Sequence, residues 1–497
     1  MLKRIRQVVA VVSIVLVTLL FVDFTGTALG LFGWMAKIQF LPAVLALNVG
    51  VVVALVVLTL IFGRLYCSVI CPLGIMQDGF GFLGKKSRKN RYSYSAPKNV
   101  LRYTVLVIFV ATLVAGVSLI PALLAPYSAY GRIAQSFLAP AWGWANNLLA
   151  RWAEAHDSFA FYRTDLWMRG ALTFGVAAAT LVILAVLAWR NGRTYCNTIC
   201  PVGTVLGFLS RFSLLRPVID TSKCNSCGLC ARNCKGACID SREHRIDYSR
   251  CVACFDCIGK CHKGAISYGL RRAKAEASAA PGPQAAADSG RRMFMGVAAT
   301  FAAAATLRAE EKTVDGGLAA IEDKKVPARK RRIVPAGAQG HRHLAQHCTA
   351  CQLCVAVCPN GVLRPSTGAD SLMQPVASYE RGYCRPECTR CSEVCPTGAI
   401  RPVTVEEKSS IQTGHAVWVK DNCIVLTDGV ACGNCARHCP AGAITMVAYG
   451  PEGNEDGPKV PAVNTERCIG CGACENLCPA RPFSAIYVEG HENHRII

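Results

Sequence analysis

The stretch G63-R-L-Y-C-S-V-I-C-P-L-G74 returns later in the chain as G192-R-T-Y-C-N-T-I-C-P-V-G203. Each copy closes an apolar segment, so the repeat divides this part of the chain into two equivalent two-span halves. An α-helix rises about 1.5 Å per residue, and the longest of these segments reaches the roughly 30 Å thickness of a bilayer's hydrocarbon layer. The sequence therefore predicts a four-helix transmembrane bundle over residues 1–216, with spans near 8–22, 41–63, 103–120 and 171–189.

Each copy of the repeat carries two cysteines at positions i and i+4. If a helix continued through them, both thiols of a pair would point from one face. The pairs could gather four thiolates around one metal centre or cluster, form two redox-active dithiols, or be small buried residues before a proline. These candidate redox or metal-binding residues are Cys67, Cys71, Cys196 and Cys200.

Much of the clustered positive charge lies beside the apolar segments. The formal net charge is +22, and the basic stretch 85–102 contains no Asp or Glu. The positive-inside rule places this stretch and both ends of the bundle in the cytoplasm, and the connection 121–168 outside. The charge therefore needs no nucleic-acid partner. G79-F-G-F-L-G84 follows a membrane helix rather than a strand, so we expect a flexible loop there and not a nucleotide site.

A cysteine ladder follows the bundle, with the runs C224-N-S-C-G-L-C-A-R-N-C234 and C251-V-A-C-F-D-C-I-G-K-C261. This spacing is typical of two-cluster ferredoxins, in which the fourth cysteine of each run ligates the other run's cluster. Residues 217–270 are therefore predicted to bind two 4Fe-4S clusters. Cys238 is an additional thiol, either free and packed or a replacement for Cys234. The predicted ligand sets are Cys224, Cys227, Cys230 and Cys261, and Cys251, Cys254, Cys257 and Cys234.

A second ladder occupies residues 346–497 and has four groups, each of whose final cysteines precedes a proline. Such runs predict four more 4Fe-4S clusters in a ferredoxin-like α+β domain. A disulfide scaffold is not indicated, because such scaffolds are short and irregularly spaced. We expect nested ligand exchange, first group with fourth and second with third, because the middle pair resembles an insertion. The groups are Cys348, Cys351, Cys354, Cys358; Cys384, Cys388, Cys391, Cys395; Cys423, Cys432, Cys435, Cys439; and Cys468, Cys471, Cys474, Cys478.

The segment between the ladders, residues 271–345, has linker composition and contains a signal-like stretch at 289–309. Arg291 and Arg292 precede a short apolar run, which is the pattern of a twin-arginine export signal. That run, Phe294 to Leu307, would be roughly 21 Å long as a helix, which is short for a membrane span. It could cross as an anchor, be cleaved, or do neither, and the alternative is an ordinary basic linker.

With these motifs in hand, residues 1–270 resemble the NapH/MauN type of membrane ferredoxin. Residues 289–497 resemble the NapG/MauM type, including the C-x8-C opening from Cys423 to Cys432. The resemblance covers nearly the whole chain, as a fusion of the two types. It implies a multi-pass protein of the bacterial inner membrane that transfers electrons from the quinol pool toward a periplasmic acceptor, with the two-cluster domain cytoplasmic and the four-cluster domain periplasmic.

Clusters held by thiolates exchange single electrons with little rearrangement, so six of them suit a relay rather than a substrate transformation. We therefore expect an electron-transfer subunit and not a self-standing enzyme, with membrane lipid, the quinone pool and a periplasmic reductase as partners. The alternative is a cluster-dependent biogenesis or regulatory factor for another metalloenzyme. The connection 121–168 is the candidate quinone-contacting region, with Tyr127, Arg132, Trp142, Trp144, His156 and Trp167. The alternative for each aromatic residue is that it anchors the chain at the membrane interface.

Overall fold

A computed structural model of the protein describes residues 1–87, 92–158, 160–165, 167, 169–271, 313–314, 319–320, 322–450 and 457–497. The signal-like stretch around Arg291 and Arg292 lies outside the described residues.

Apolar helices form the first part of the chain. Two of them, α1 and α12, are long and apolar enough to cross a membrane by length and composition, and α5 and α8 are shorter apolar helices. The helices are α1 (Leu2–Val22), α2 (Thr27–Phe32), α3 (Trp34–Lys37), α4 (Phe40–Leu45), α5 (Val49–Phe62), α6 (Tyr66–Val69), α7 (Pro72–Ser87), α8 (Asn99–Val114), α9 (Leu119–Leu124), α10 (Pro126–Ile133), α11 (Ala139–Glu154), α12 (Ala171–Asn191), α13 (Thr194–Thr198) and α14 (Pro201–Leu209).

Two details differ from the expectations. The predicted span 41–63 is broken between α4 and α5, because Leu47 takes a positive φ of 53° and the Asn48 side chain caps α5 by accepting from the Val51 amide at 3.3 Å. The loop predicted at 79–84 is wrong, since this stretch continues α7. Packing of α7 against α10 and α12 outweighs the low helix propensity of its glycines.

The two-cluster domain follows with β1 (Leu215–Ile219), α15 (Leu229–Arg232), β2 (Ile239–Asp240), β3 (Arg245–Ile246) and β4 (Ile266–Leu270). Antiparallel β1 and β4 pair Leu215 with Leu270 and Ile219 with Ile266. The domain packs on one end of the helices. Its Tyr268 hydroxyl donates to the Phe62 carbonyl at 2.9 Å, and Asp256 pairs with Lys3 at the start of α1 at 2.8 Å.

The four-cluster domain is built from short helices and two-stranded antiparallel pairs, β7 with β8, β9 with β12 and β10 with β11. A short pair, β5 with β6, precedes it. Its elements and that pair are β5 (Thr313–Val314), β6 (Ala319–Ala320), α16 (His341–His347), α17 (Leu353–Ala356), β7 (Leu363–Pro365), β8 (Pro375–Ala377), α18 (Arg390–Val394), α19 (Val405–Ser410), β9 (Ile411–Trp418), α20 (Ile424–Thr427), α21 (Asn434–Arg437), β10 (Ile444–Ala448), β11 (Lys459–Val463), α22 (Ala473–Leu477) and β12 (Ile486–Ile496).

The predicted linker reaches into this domain at its C-terminal end. The Lys324 ammonium donates to the carbonyl oxygens of Glu475, Asn476 and Cys478 at 2.7, 2.8 and 2.9 Å, and burial lowers the pKa of Lys324 to about 8. Arg329 forms a buried ion pair with Glu475. Burial raises the pKa of Glu475 even though Arg329 acts in the opposite direction. Residues from Lys324 onward are therefore held against the four-cluster domain.

The four-cluster domain packs on the other end of the same helices. Gly26, just after α1, faces Arg390, and Ala46, just before α5, faces Gly398. Gly116, after α8, faces Gln346, and Gly170, before α12, faces Pro365. At the two-cluster side, Arg102 in α8 donates to the Ser249 hydroxyl at 3.2 Å, and the Arg193 amide just after α12 donates to the Lys235 carbonyl at 2.8 Å. The two cluster domains thus contact opposite ends of α1, α5, α8 and α12.

Candidate iron-sulfur centres

Three sets of four cysteines in the four-cluster domain each line a cavity. One cavity is lined by Cys423, Cys432, Cys435 and Cys478, and another by Cys439, Cys468, Cys471 and Cys474. A third is lined by Cys358, Cys384, Cys388 and Cys391, together with Cys471 of a neighbouring set. The fourth set is Cys348, Cys351 and Cys354, whose thiols lie within electrostatic range of Cys395.

These sets overturn the nested exchange expected from the sequence. The first group exchanges its last cysteine with the second, and the third with the fourth. Consecutive groups pair because each ladder pair folds as one compact unit with its own antiparallel strands, β7 with β8 and β10 with β11. The second group is therefore not inserted into another unit. It completes the first.

In the two-cluster domain, one cavity is lined by five cysteines: Cys234, Cys238, Cys251, Cys254 and Cys257. Cys234 thus lies beside the cysteines of the second run. The Cys238 sulfur lies 3.5 Å from the Cys234 sulfur and is 2% exposed. Hydrogen bonding to Cys234 raises the pKa of Cys238 well above its usual value, which favours Cys238 as a protonated donor beside the ligand sulfurs.

The repeated cysteines meet in the interior of the helical part. Their exposed fractions are 4 and 5% for Cys67 and Cys71, and 5 and 4% for Cys196 and Cys200. The helix does not continue through each pair, since α6 ends at Val69 and α7 begins at Pro72. The four thiols nevertheless lie close together, since Cys71 and Cys200 are each within electrostatic range of thiols from both copies of the repeat. We call this group the four-thiol site.

Two arginines connect the repeats across the four-thiol site. Arg64, from the first copy, donates to the Cys196 carbonyl at 3.1 Å, and Arg193, from the second copy, donates to the Cys67 carbonyl at 2.7 Å. Each guanidinium passes over the glycine of the other copy's C-P-x-G end, where a Cβ at Gly74 or Gly203 would collide with it. Both arginines stand in the quoted repeat, but sequence reasoning did not assign them a role.

Several donors point at the sulfurs of this site. The Gly203 amide donates to the Cys200 sulfur at 3.3 Å and the Gln77 side-chain amide to the Cys196 sulfur at 3.2 Å. Hydrogen bonds of this kind stabilise thiolates and tune the potential of a bound cluster. Four buried thiols with such donors fit a thiolate-ligated cluster. Within the described ranges, no three His, Cys, Asp or Glu side chains are placed so that they could hold a single metal ion.

Helix α10 lies between the four-thiol site and the four-cluster domain. All of its residues are buried. At one side, α10 packs against α7, whose first residue, Pro72, directly follows Cys71. At the other side, Gly131 lies directly against the Cys351 carbonyl. The helix therefore packs against α7 beside the four-thiol site and against the Cys351 loop of the four-cluster domain.

The residues proposed for quinone contact are not brought together. Tyr127 and Arg132 are buried in α10, whereas Trp142 and Trp144 are 51 and 65% exposed. His156 is exposed as well. The Trp167 ring packs against the four-cluster domain instead, with the guanidinium carbons of Arg364 and Arg381 at 4.6 and 4.7 Å from its centre.

Comparisons with known proteins agree with this cysteine chemistry. The family described as "4Fe-4S binding domain" matches residues 44–90 and 172–219, and the family described as "4Fe-4S dicluster domain" matches residues 430–481. The two segments that match the "4Fe-4S binding domain", residues 44–90 and 172–219, contain only the cysteines of the four-thiol site. No solved structure matches the chain.

The curated relatives cover different parts of the chain. The ferredoxin-type protein NapG of Escherichia coli is 30% identical over 183 residues, which is 33% of this chain and 75% of NapG. NapH of the same organism is 26% identical over 246 residues, 46% of this chain and 70% of NapH. The methylamine utilization protein MauN of Paracoccus denitrificans is 26% identical over 179 residues, 35% of this chain and 49% of MauN.

The chain spans about half the length of several curated relatives that it matches, between 38% and 55%. NapG, by contrast, is covered over three quarters of its length at 30% identity. The chain therefore belongs to the ferredoxin-type 4Fe-4S proteins, with a NapH/MauN-like part in residues 1–270 fused to a NapG/MauM-like part in residues 289–497.

Proposed function

We propose that this protein is a membrane-anchored electron conduit between the quinone pool or a cytoplasmic donor and a periplasmic reductase. The observation that carries the proposal is the placement of the two cluster domains at opposite ends of the same apolar helices, with the four-thiol site and α10 between them. A bacterial inner-membrane location follows from this proposal.

Six 4Fe-4S clusters belong to the proposal, each held by four thiolates. Two lie in the domain 217–270 and four in the domain 346–497, in the exchanged sets described above. The set of Cys224, Cys227, Cys230 and Cys261 is assigned by the ferredoxin spacing. In every set the protein's part is to hold the cluster, shield it and set its potential through nearby donors.

A seventh centre at the four-thiol site would supply a redox centre between the two cluster domains. Cys67, Cys71, Cys196 and Cys200 would hold it, and a cluster there would supply one-electron exchange inside the helical part. The arginines that cross between the repeats and the donors from Gly203 and Gln77 support this assignment.

The proposed topology puts the two-cluster domain in the cytoplasm and the four-cluster domain in the periplasm, with Arg291 and Arg292 as the export signal. Protease accessibility of a C-terminal epitope in intact spheroplasts tests it. Digestion is expected in the wild type and is expected to disappear when both arginines are changed to Lys. Protection of the epitope in both proteins would overturn the topology.

Electron passage is tested in proteoliposomes, with a membrane-impermeant reductant on one side and a trapped one-electron acceptor on the other. Cys71→Ser should abolish passage while both cluster domains still reduce. The matched control is Cys238→Ser, which also removes a buried thiol and should leave passage intact. Equal passage in both variants would rule out the four-thiol route. A biogenesis or regulatory role predicts instead no passage in any of the proteins, including the wild type.

A further inference from the structure

A cavity of about 350 Å³ lies where the end of α1 and the start of α12 meet the four-cluster domain. This volume falls in the range of small-molecule sites, which are apolar clefts with a few placed polar groups. Its apolar lining includes Phe21, Phe24, Phe174 and Pro365. The cavity therefore joins residues from three separate parts of the chain.

Two buried glutamines line this cavity with polar atoms that have no partner. The side-chain nitrogen of Gln352 and the side-chain oxygen of Gln135 make no hydrogen bond, although the residues are only 3 and 8% exposed. A buried polar group without a hydrogen-bond partner is unfavourable, so a ligand that pairs with both atoms would be favoured. One unpaired donor and one unpaired acceptor suit a flat apolar ring that carries oxygen on both sides.

The position of Gln352 connects the cavity to a cluster. It stands in C348-T-A-C351-Q-L-C354, between two cysteines of one set. A ring that accepts a hydrogen bond from Gln352 would therefore lie beside the ligands of that set. Two carboxylates, those of Asp23 and the exposed Asp165, also line the cavity and could accept protons.

The cavity adjoins a surface suited to the membrane interface. Helix α11 begins at Ala139 in the cavity wall and carries Trp142, Trp144 and Trp152, which are 51, 65 and 63% exposed. Exposed Trp residues are enriched where proteins meet the lipid headgroups. A lipid-soluble ligand could thus reach the cavity from the bilayer.

From these observations we infer that the cavity binds the headgroup of a membrane quinone, with Gln352 donating to a quinone oxygen and Gln135 accepting from a quinol hydroxyl. This inference rests on the proposed electron conduit and places its quinone contact. In the oxidising direction, a bound quinol becomes quinone. It would release two protons through Asp23 and Asp165 to solvent, and its two electrons would pass one at a time to the cluster that Cys348, Cys351, Cys354 and Cys395 would hold.

The test uses the full-length protein in detergent or lipid and a photoreactive decyl benzoquinone. Cross-linked peptides are expected from α1, α11 or the segment around Gln352. Ala139→Trp fills the cavity and should abolish labelling, whereas Ala141→Trp, two residues away on the exposed face of α11, should not. Labelling elsewhere, or equal labelling of both variants, would overturn the assignment.

The second readout is cluster reduction by decyl benzoquinol, compared with reduction by dithionite. Gln135→Leu should raise the KM for the quinol about tenfold, since one hydrogen bond is lost, with full reduction by dithionite retained. An unchanged KM would contradict the role of Gln135. Electron passage in the proteoliposomes uses no quinone, so a failure of the conduit itself is recognised separately from a failure of this site.

Discussion

Backbone amides point at the sulfurs of several cysteines that end a group. The amides of Ala265, Ala443 and Ala485 donate to the sulfurs of Cys261, Cys439 and Cys478 at 3.2, 3.3 and 3.3 Å. Each of these cysteines belongs to a set formed with the partner group. Such hydrogen bonds favour the reduced, more negative cluster and so raise its potential. The chain that follows each of these cysteines would thus tune the potential of a cluster bound there.

Cys238 extends this tuning with a side chain. Cys238→Ala should retain the cluster, because Cys234 remains as ligand, but should lower its midpoint potential by about 40 mV. That figure corresponds to about 1 kcal/mol for one hydrogen bond and 59 mV per tenfold for one electron. A redox titration followed by electron paramagnetic resonance measures the shift. Loss of the cluster in this variant would show that Cys238 is itself the ligand, while Cys238→Ser should keep most of the donor effect.

At the scale of elements, the repeat makes two helices equivalent. Gly74 in α7 and Gly203 in α14 each make room for an arginine from the other copy and for a cysteine carbonyl. In each copy of the repeat, therefore, the glycine packs against the arginine of the other copy, and these two contacts hold the halves together around the four-thiol site. We call this pair of contacts the clasp. A substitution at either glycine should therefore have the same effect on the stability of the helical part.

Gly74→Ala and Gly203→Ala should each destabilise the helical part by about 1–3 kcal/mol, because the added methyl group forces the arginine and the carbonyl apart. The matched control is Gly79→Ala in the same helix α7, where a Cβ meets nothing within 4 Å. That change should be neutral or stabilising by about 0.5–1 kcal/mol. Thermal denaturation in detergent compares the three variants, and a normal melting temperature in Gly74→Ala would disprove the clasp.

Strand β12 gives the four-cluster domain a pH dependence. Burial lowers the pKa of His494 to about 4, and His341 and His491 act in the same direction. Because the folded pKa lies below the unfolded value near 6.5, the neutral ring stabilises the fold above that pH, and stability falls between about pH 6.5 and 4. Between about pH 7.5 and 5.5, the titration of His494 should lower the free energy of unfolding by about 1 kcal/mol. His494→Leu should make this decrease smaller. Thermal loss of cluster absorbance at both pH values checks it.

The sequence predicted the ligand groups because cluster spacing is a local property of the chain, as in C348-T-A-C351-Q-L-C354. It did not predict how the last four groups exchange ligands, because Cys358 and Cys395 find their sets through tertiary packing. The same reason hid the role of Arg64 and Arg193, which act across the repeat and not within it. Gln352 lies between two predicted ligands in the sequence, but only the fold shows the cavity that it lines.

At the scale of the whole molecule, the helices position two redox domains relative to each other. The length of α1 illustrates this. Arg6 near its start donates to the Ser68 carbonyl beside the four-thiol site, at 3.3 Å, and Phe21 near its end meets Gly131 at the Cys351 loop. Fifteen residues of helix separate these contacts by about 22 Å. The fold thus sets the depth of the four-thiol site relative to the four-cluster domain.

We expect the packing of the four-cluster domain on α10 to be most sensitive to substitution at Gly131. A Cβ there would collide with the Cys351 carbonyl and lie 2.8 Å from the Phe21 ring. Gly131→Val should therefore displace the Cys351 loop from α10. All clusters should still assemble and be reduced by dithionite, but electron passage between the two domains should fall at least tenfold. Gly175→Val is the control, since a Cβ in that position of α12 meets nothing within 4 Å. If Gly131→Val passes electrons at the rate of this control, the route between the domains does not run through α10.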